Sequence, residues 1–318
     1  MDSDAIVTAA NAAESLPNTS AGKPERNSYQ VRKAIEGLIH LIFLLCGIVA
    51  VAFVLLISIY LIVSGLPAIR EIGLVKFLLG RAWDPTNTTT GAQYGILPFI
   101  LGSIYVTAGA ILIGVPIGIL CAVFMARFCP KKIYPIRKPA FELMAGIPSI
   151  VYGFFGLVVI VPIIQQLTGT SGKGVLTASV LLGIMILPTI IGVSESAIRA
   201  VPESYYEGAL ALGDTHERSV FCAVLPAAKS GIMAGVILGV GRAIGETMAV
   251  IMVAGNQPVI PGSVLAGVRT MTANIVLEMG YAAGLHREAL IATGVVLFVF
   301  ILIINVLFSL IKKGDSNG

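Results

Sequence analysis

The sequence predicts an all-α, polytopic membrane protein with six transmembrane helices. Three observations carry that expectation. Hydrophobic residues make up 56% of the 318 and charged residues only 12%, with a mean hydropathy of +0.93. A soluble domain averages about 25% charged residues. Six apolar runs reach the roughly 20 residues that a helix needs to cross the hydrocarbon. They fall at about 38–64, 97–125, 140–164, 175–194, 231–254 and 290–311. Lys and Arg are also shared unevenly between alternate connections, as a multi-pass chain requires.

In chain order, residues 1–34 read as a disordered cytoplasmic tail, polar and rich in Ala, Asn, Ser and Asp. No short apolar core follows a basic start, so no cleavable signal is expected, and the first run stays as a helix. The connection 65–96 holds Trp83, a ring suited to the membrane interface, followed by Asp84-Pro85 and a Thr/Asn-rich turn. Pro116, Pro148 and Pro188 fall inside spans two, three and four, where they predict kinks. The connection 255–289 is punctuated by Gly and Pro and then mildly amphipathic. A membrane-spanning domain thus covers 35–313, with 314–318 as a short cytoplasmic tail.

The basic residues set the orientation. One side collects Lys23, Arg26, Arg32 and Lys33, then Arg127, Lys131, Lys132, Arg137 and Lys138, then Arg199, Arg218 and Lys229, and finally Lys312 and Lys313. The other side has only Arg70, Lys76, Arg81, Lys173, Arg269 and Arg287. Both termini are therefore expected in the cytoplasm. A net charge of +4 is no sign of nucleic-acid binding. The cysteines, Cys46, Cys121, Cys129 and Cys222, show no metal spacing, and a disulfide framework is not expected. His40, His216 and His286 are scattered. No cofactor is expected.

Two regions carry chemistry. Arg242 and Glu246 lie inside the apolar run 231–254, four residues apart. As one continuous helix, the run would put both on one face with Gly235, Gly239, Gly245 and Ala249. A charge at that depth costs roughly 2.5–3.5 kcal/mol on insertion scales. Such a residue marks a pathway by default, and a buried ion pair fixing helix docking is the plainer reading. The second region is the loop at about 195–230. Pro202 with the acidic Glu203 starts a helix, Gly213 followed by Asp214-Thr215 stops it and caps another, and Pro226 is expected to end the second before span five. That is a helical knob on the membrane surface, a shape another protein can grip.

Glu207-Gly208-Ala209, then Gly213, then Leu225-Pro226 resemble the E-A-A-x-x-x-G…I-x-L-P signature of bacterial ABC importer permeases. Gly208 and Ala223 stand where that signature has Ala and Ile. The string Gly241-Arg-Ala-Ile-Gly-Glu-Thr-Met-Ala-Val250 resembles the permeases of phosphate importers, in particular the C-type subunit. So do Ala145-Gly-Ile-Pro-Ser-Ile-Val-Tyr-Gly153, Thr272-Ala-Asn-Ile-Val-Leu-Glu-Met-Gly280, Trp83-Asp-Pro85 and Tyr94-Gly-Ile-Leu-Pro98. The resemblance covers roughly 35–313. It implies a type I ABC importer permease fold in the cell inner membrane and a path for inorganic phosphate. It also implies pairing with a homologous A-type permease, two ATPase subunits gripping the 203–226 loop, and an extracytoplasmic phosphate-binding protein. The chain shows no engine of its own. The Gly-Lys pairs at 22–23 and 172–173 lack the rest of a phosphate-binding loop, and Gly239-Val-Gly241-Arg-Ala-Ile-Gly245 has the wrong last interval for a dinucleotide fingerprint. An ion-coupled transporter using Glu246 as a proton site, a non-transporting scaffold and a permease for another oxyanion are the rival readings. The first of these usually shows repeated halves, and none is visible.

Overall fold

The computed structural model describes residues 26–87, 89, 91–130 and 132–315. Among the described residues, six helical stretches are long and apolar enough to cross a membrane: Ile35–Ile72, Leu97–Phe128, Ser149–Thr168, Val175–Arg199, His216–Gly245 and Leu285–Leu307. The predicted tail lies outside the described residues up to 25, and from Arg26 the backbone is helical. Residues 316–318 of the predicted C-terminal tail also lie outside them.

The chain divides into two units, Met1–Ile59 and Tyr60–Gly318. The first contributes the leading part of helix α1 (Arg26–Ile72), whose apolar side chains from Ile35 to Ile59 are largely exposed. The second unit holds everything else. It begins with the rest of α1, then α2 (Leu74–Leu79), a hairpin of β1 (Trp83–Asp84) and β2 (Gln93–Tyr94), and α3 (Leu97–Val123). The hairpin pairs Trp83 with Tyr94 and Asp84 with Gln93. Next come α4 (Tyr134–Gly146), α5 (Ser149–Phe155), α6 (Val161–Thr168) and α7 (Val175–Arg199). The remainder is α8 (Glu203–Ala211), α9 (His216–Ser219), α10 (Leu225–Gly245), α11 (Met248–Val253), α12 (Met271–Glu278) and α13 (Leu285–Asp315).

Helix α7 is the axis of the second unit. Leu181, Leu182, Met185, Ile186 and Ile190 are buried there among Val106 and Ala110 of α3 and Ala243 of α10. Small residues set these approaches. A Cβ on Gly118 of α3 would stand 2.8 Å from Ile190 Cγ2, and one on Gly239 of α10 would stand 2.9 Å from Ile190 Cγ1. Ile190 is thus a wedge between two glycines. Membrane helices pack by such close fits, because lipid supplies no hydrophobic drive to bring them together. The first N–H groups of α7 have partners outside the helix. Gly174, Val175 and Leu176 donate to the carbonyls of Val253, Ala266 and Val264 in and after α11.

Three sequence expectations are corrected here. Pro148 does not kink one helix over 140–164. It separates α4 from α5, with Ile147 and Pro148 extended. Pro226 does not end the second loop helix. A π-turn at Val220–Val224 precedes it, and the backbone runs on helically into α10. Leu225 N–H reaches back five residues to Val220, which shifts the register just before the proline removes a donor. The Trp83 ring is covered by protein rather than presented to lipid; it is 6% exposed, edge-on to Tyr94 and Phe99.

Candidate functional site

The run 231–254 is not one helix. It breaks after Gly245, where Glu246 is extended (φ −68, ψ 131) before α11 starts at Met248. Gly245 weakens the helix, and the groups freed by the break find local partners. Glu246 Oε1 accepts from the N–H groups of Thr247 and Ala249, both at 3.1 Å. The Glu246 carbonyl accepts from Thr272 Oγ1 at 3.1 Å. An acceptor at a helix start satisfies donors that the helix cannot, and negative charge there suits the dipole.

Arg242 sits in the last turn of α10, where a cation is favoured for the same reason. Its Nη1 donates to Thr189 Oγ1 of α7 at 3.4 Å. The break therefore separates the two charges: among the described residues no ion pair joins Arg242 to Glu246, and Glu246 Oε2 has no partner. Beside them lies open space. A Cβ on Gly241 or Gly245 would meet no atom within 4 Å, and Met248 is half exposed. Gly235 and Gly239 have a different use, since they let α10 press on α7. Ala249 is buried against Gly153 of α5.

At the far end of α10 stands the loop that the sequence singled out. Helix α8 starts after Pro202, and Gly213 ends its last turn with φ +92, a conformation that costs any residue with a Cβ. Asp214 N–H closes on the Ala209 carbonyl at 3.2 Å, and Thr215 Oγ1 accepts from Arg218 N–H. Both halves of the predicted knob are present. The knob is tied to the membrane helices from beneath. Arg127, at the end of span two, donates to Glu203 at 2.8 Å. Tyr206 and His216 Nδ1 share a hydrogen bond of 2.7 Å, and the His216 ring meets Phe128 edge-on. Leu225 is partly buried in this cluster, while Pro226 is exposed. The outward side is free: Glu207, Gly208 and Tyr205 are exposed, and Leu212 is 90% exposed.

The sequence did not flag a third site. Glu278 of α12, 10% exposed at its side chain, accepts from Arg269 Nη1 at 2.6 Å and from Trp83 Nε1 at 2.8 Å. It also lies 2.9 Å from His286 Nε2. Each of these residues was visible in the sequence, but their meeting joins positions nearly 200 apart and no spacing rule finds it.

Residues 114–314 match the family described as binding-protein-dependent transport system inner membrane component. A probable ABC transporter permease protein, YqgH of Bacillus subtilis, is 38% identical over 92% of this chain and 97% of its own length. The phosphate transport system permease protein PstC of Mesorhizobium japonicum is 38% identical over 72% of this chain and 75% of its own. PstC of Haemophilus influenzae is 33% identical over 84% and 90%. A bacterial alginate ABC transporter solved with its alginate-loaded periplasmic protein has a chain superposing with a TM-score of 0.58. That match has 15% identity and covers 89% of this chain and 96% of the other. The inward-facing MetNI methionine ABC transporter gives a TM-score of 0.55 at 20% identity, over 69% and 97%. These two show the fold alone. The residues matched, the six spans and the helical loop between spans four and five agree: the chain belongs to the family of binding-protein-dependent transport system inner membrane components, the permease subunits of ABC importers.

Proposed function

We propose that this permease is the C-type membrane chain of an ATP-driven importer of inorganic phosphate, sited in the inner membrane with both termini in the cytoplasm. The observation that carries the reading is its likeness to PstC proteins over most of the chain. It is not an enzyme, and ATP hydrolysis resides on a separate subunit. A homologous A-type permease completes the path, two ATPases grip the knob at 203–226, and an extracytoplasmic phosphate-binding protein delivers the anion.

The knob suits that role because its outward residues, among them Glu207, Gly208, Tyr205 and Leu212, are exposed while Glu203 and His216 hold it to span two. Ala209, Gly213, Leu225 and Pro226 shape it rather than touch the partner. Arg242 and Glu246 line the path in this reading. Arg242 offers a fixed positive charge with several donors, and the space beside Gly241 and Gly245 admits a solute. Glu246 spends one oxygen on α11 and keeps the other. That free oxygen can accept the O–H of hydrogen phosphate, and it repels sulfate, which carries no such proton at neutral pH. The gate reading, in which Glu246 pairs with Arg242 when the path is shut, needs a second conformation in which the break closes.

Reconstitution with the A-type permease, ATPase and binding protein tests the assignment. Import of labelled phosphate that requires all four components is the expected result. Import of sulfate or molybdate in its place would overturn the assignment of the cargo while leaving the permease class intact.

A further inference from the structure

We infer that residues 269–278 form a brace that holds the broken helix at Glu246 in register with the β1–β2 hairpin, and that Glu278 is its positioning residue. The inference rests on reading the break as part of the path.

The starting point is a buried carboxylate with a full set of donors. Glu278 has Arg269, Trp83 and His286 within hydrogen-bond distance, from three separate parts of the chain. Burying this many polar groups is costly unless each is paired, and apolar residues of like volume would pack as well. What the charges supply is direction. Arg269 spreads from Glu278 to two further acceptors: its Nη1 also meets Asn274 Oδ1 at 3.0 Å, and its Nε meets the Asn256 carbonyl at 3.0 Å. A guanidinium fixes such an arrangement because its donors are coplanar.

From there the links reach the break. Asn256 Nδ2 donates to the Ile251 carbonyl in the last turn of α11, at 2.8 Å. At the other end of α11, Thr272 donates to the Glu246 carbonyl. The short helix that forms one side of the break is thus tied at both ends to one segment. That segment is itself anchored, since Thr270 caps α12 and Ser103 of α3 accepts from Met271 N–H at 3.0 Å. Its far end is clamped by Trp83 of the hairpin. Movement of the hairpin is therefore carried to Glu246 through hydrogen bonds, with α12 as the rigid member.

Hydrogen exchange on the assembled transporter in lipid nanodiscs tests this. Trp83→Phe keeps an aromatic, though smaller, ring and removes one donor from Glu278. The expected result is a several-fold rise in exchange over residues 246–251, which contain the Thr247 and Ala249 amides, with no change over 203–212. Thr272→Val, which removes the direct tie to Glu246, is expected to produce the same rise. A role limited to local packing moves only residues 83–94 and 269–286 on Trp83→Phe, and that outcome overturns the brace. So does a rise spread evenly over the whole chain, which means general loosening. Transport is the second arm. With Trp83→Phe, maximal phosphate import should fall several-fold, while the half-saturating concentration of binding protein and the basal ATPase rate stay within twofold. An unchanged maximal rate overturns the functional part of the inference. The exchange arm needs no substrate, so an error in the cargo leaves its outcome readable.

Discussion

At the residue scale, Glu246 is held by its surroundings in a way its sequence neighbours do not announce. Its carboxylate caps α11 through Thr247 and Ala249, so substitutions separate the cap from the charge. Glu246→Gln keeps an acceptor oxygen and removes the charge. It should leave the melting temperature of the purified complex nearly unchanged while lowering phosphate import and improving sulfate binding or import relative to phosphate. Glu246→Ala removes the cap as well and should cost about 1 kcal/mol of stability, visible as a lower thermal midpoint. The gate reading expects the Gln variant to raise resting ATPase or leak, with no change in anion preference. Wild-type transport by both Arg242→Gln and Glu246→Gln would make the two residues structural. The wedge at Ile190 gives a second residue-scale expectation. Gly118→Val forces a side chain into a gap already closed by Ile190 Cγ2 and should destabilise the complex by about 1–3 kcal/mol. Ile190→Ala in the same chain should restore part of that, a coupling that a double-mutant thermal series would read directly.

At the scale of elements, local punctuation was legible where the surroundings are polar and illegible where they are apolar. Gly213-Asp214-Thr215 ends one helix and caps the next, and a left-handed glycine and a Thr215 cap stand there in the structure. Gly245-Glu246-Thr247 is the same sort of string, and it too breaks a helix. Hydropathy predicts continuity there because the flanking residues are uniformly apolar and satisfy the length of a membrane span. Hydropathy reports where a segment sits and says little about whether its backbone is regular. The prolines teach a related lesson. Each π-turn, at Phe124–Phe128, Gly156–Ile160 and Val220–Val224, is followed by one residue and then by Pro130, Pro162 or Pro226. The register shift prepares the chain for the missing N–H, so two of these prolines ride inside long helical stretches. A π-turn is not required, since Pro116 and Pro188 stand inside α3 and α7 without one, whereas α4 ends two residues before Pro148. The knob also yields an element-scale expectation. Gly208 lies inside α8 with open space where a Cβ would go, so Gly208→Ala should stabilise α8 by up to about 1 kcal/mol. It also restores the residue of the permease signature, and coupled ATPase activity should be retained. Gly213→Asp is the opposite case. It strains a left-handed turn by about 1–2 kcal/mol and should leave the chain in the membrane while loosening the ATPase, measured by co-purification. Normal co-purification with full stimulated activity would show that the knob tolerates distortion.

At the scale of the whole molecule, the architecture was the most legible level, because it is set by the number of long apolar runs. The count of six, the all-α class and the helical loop between spans four and five followed from composition, length and turn residues. The Glu278 cluster did not, since it is made by contact between distant segments, with Trp83 drawn away from the lipid by a buried carboxylate. Orientation is the expectation that belongs to this scale, and it has a built-in probe. Cys222 lies at the start of the stretch His216–Gly245, on an exposed face. About 20 helical residues fill the hydrocarbon, so counting back from Gly245 leaves Cys222 beyond the apolar slab, beside the knob. Its thiol is thus open to a water-borne reagent on whichever side the knob occupies. By the excess of Lys and Arg on that side, led by the cluster from Arg127 to Lys138, the expected side is the cytoplasm. A membrane-impermeant maleimide should therefore label Cys222 in inverted vesicles and not in intact cells with a permeable outer envelope. The other cysteines are replaced by serine in that experiment, so that the signal belongs to one site. Labelling from the outside would reverse the orientation, and with it the side on which the ATPase must bind. The same reversal would put the Trp83–Glu278 cluster in the cytoplasm, because it stands at the opposite end of span five from the knob. One labelling experiment thus fixes which face meets the binding protein and which meets the engine.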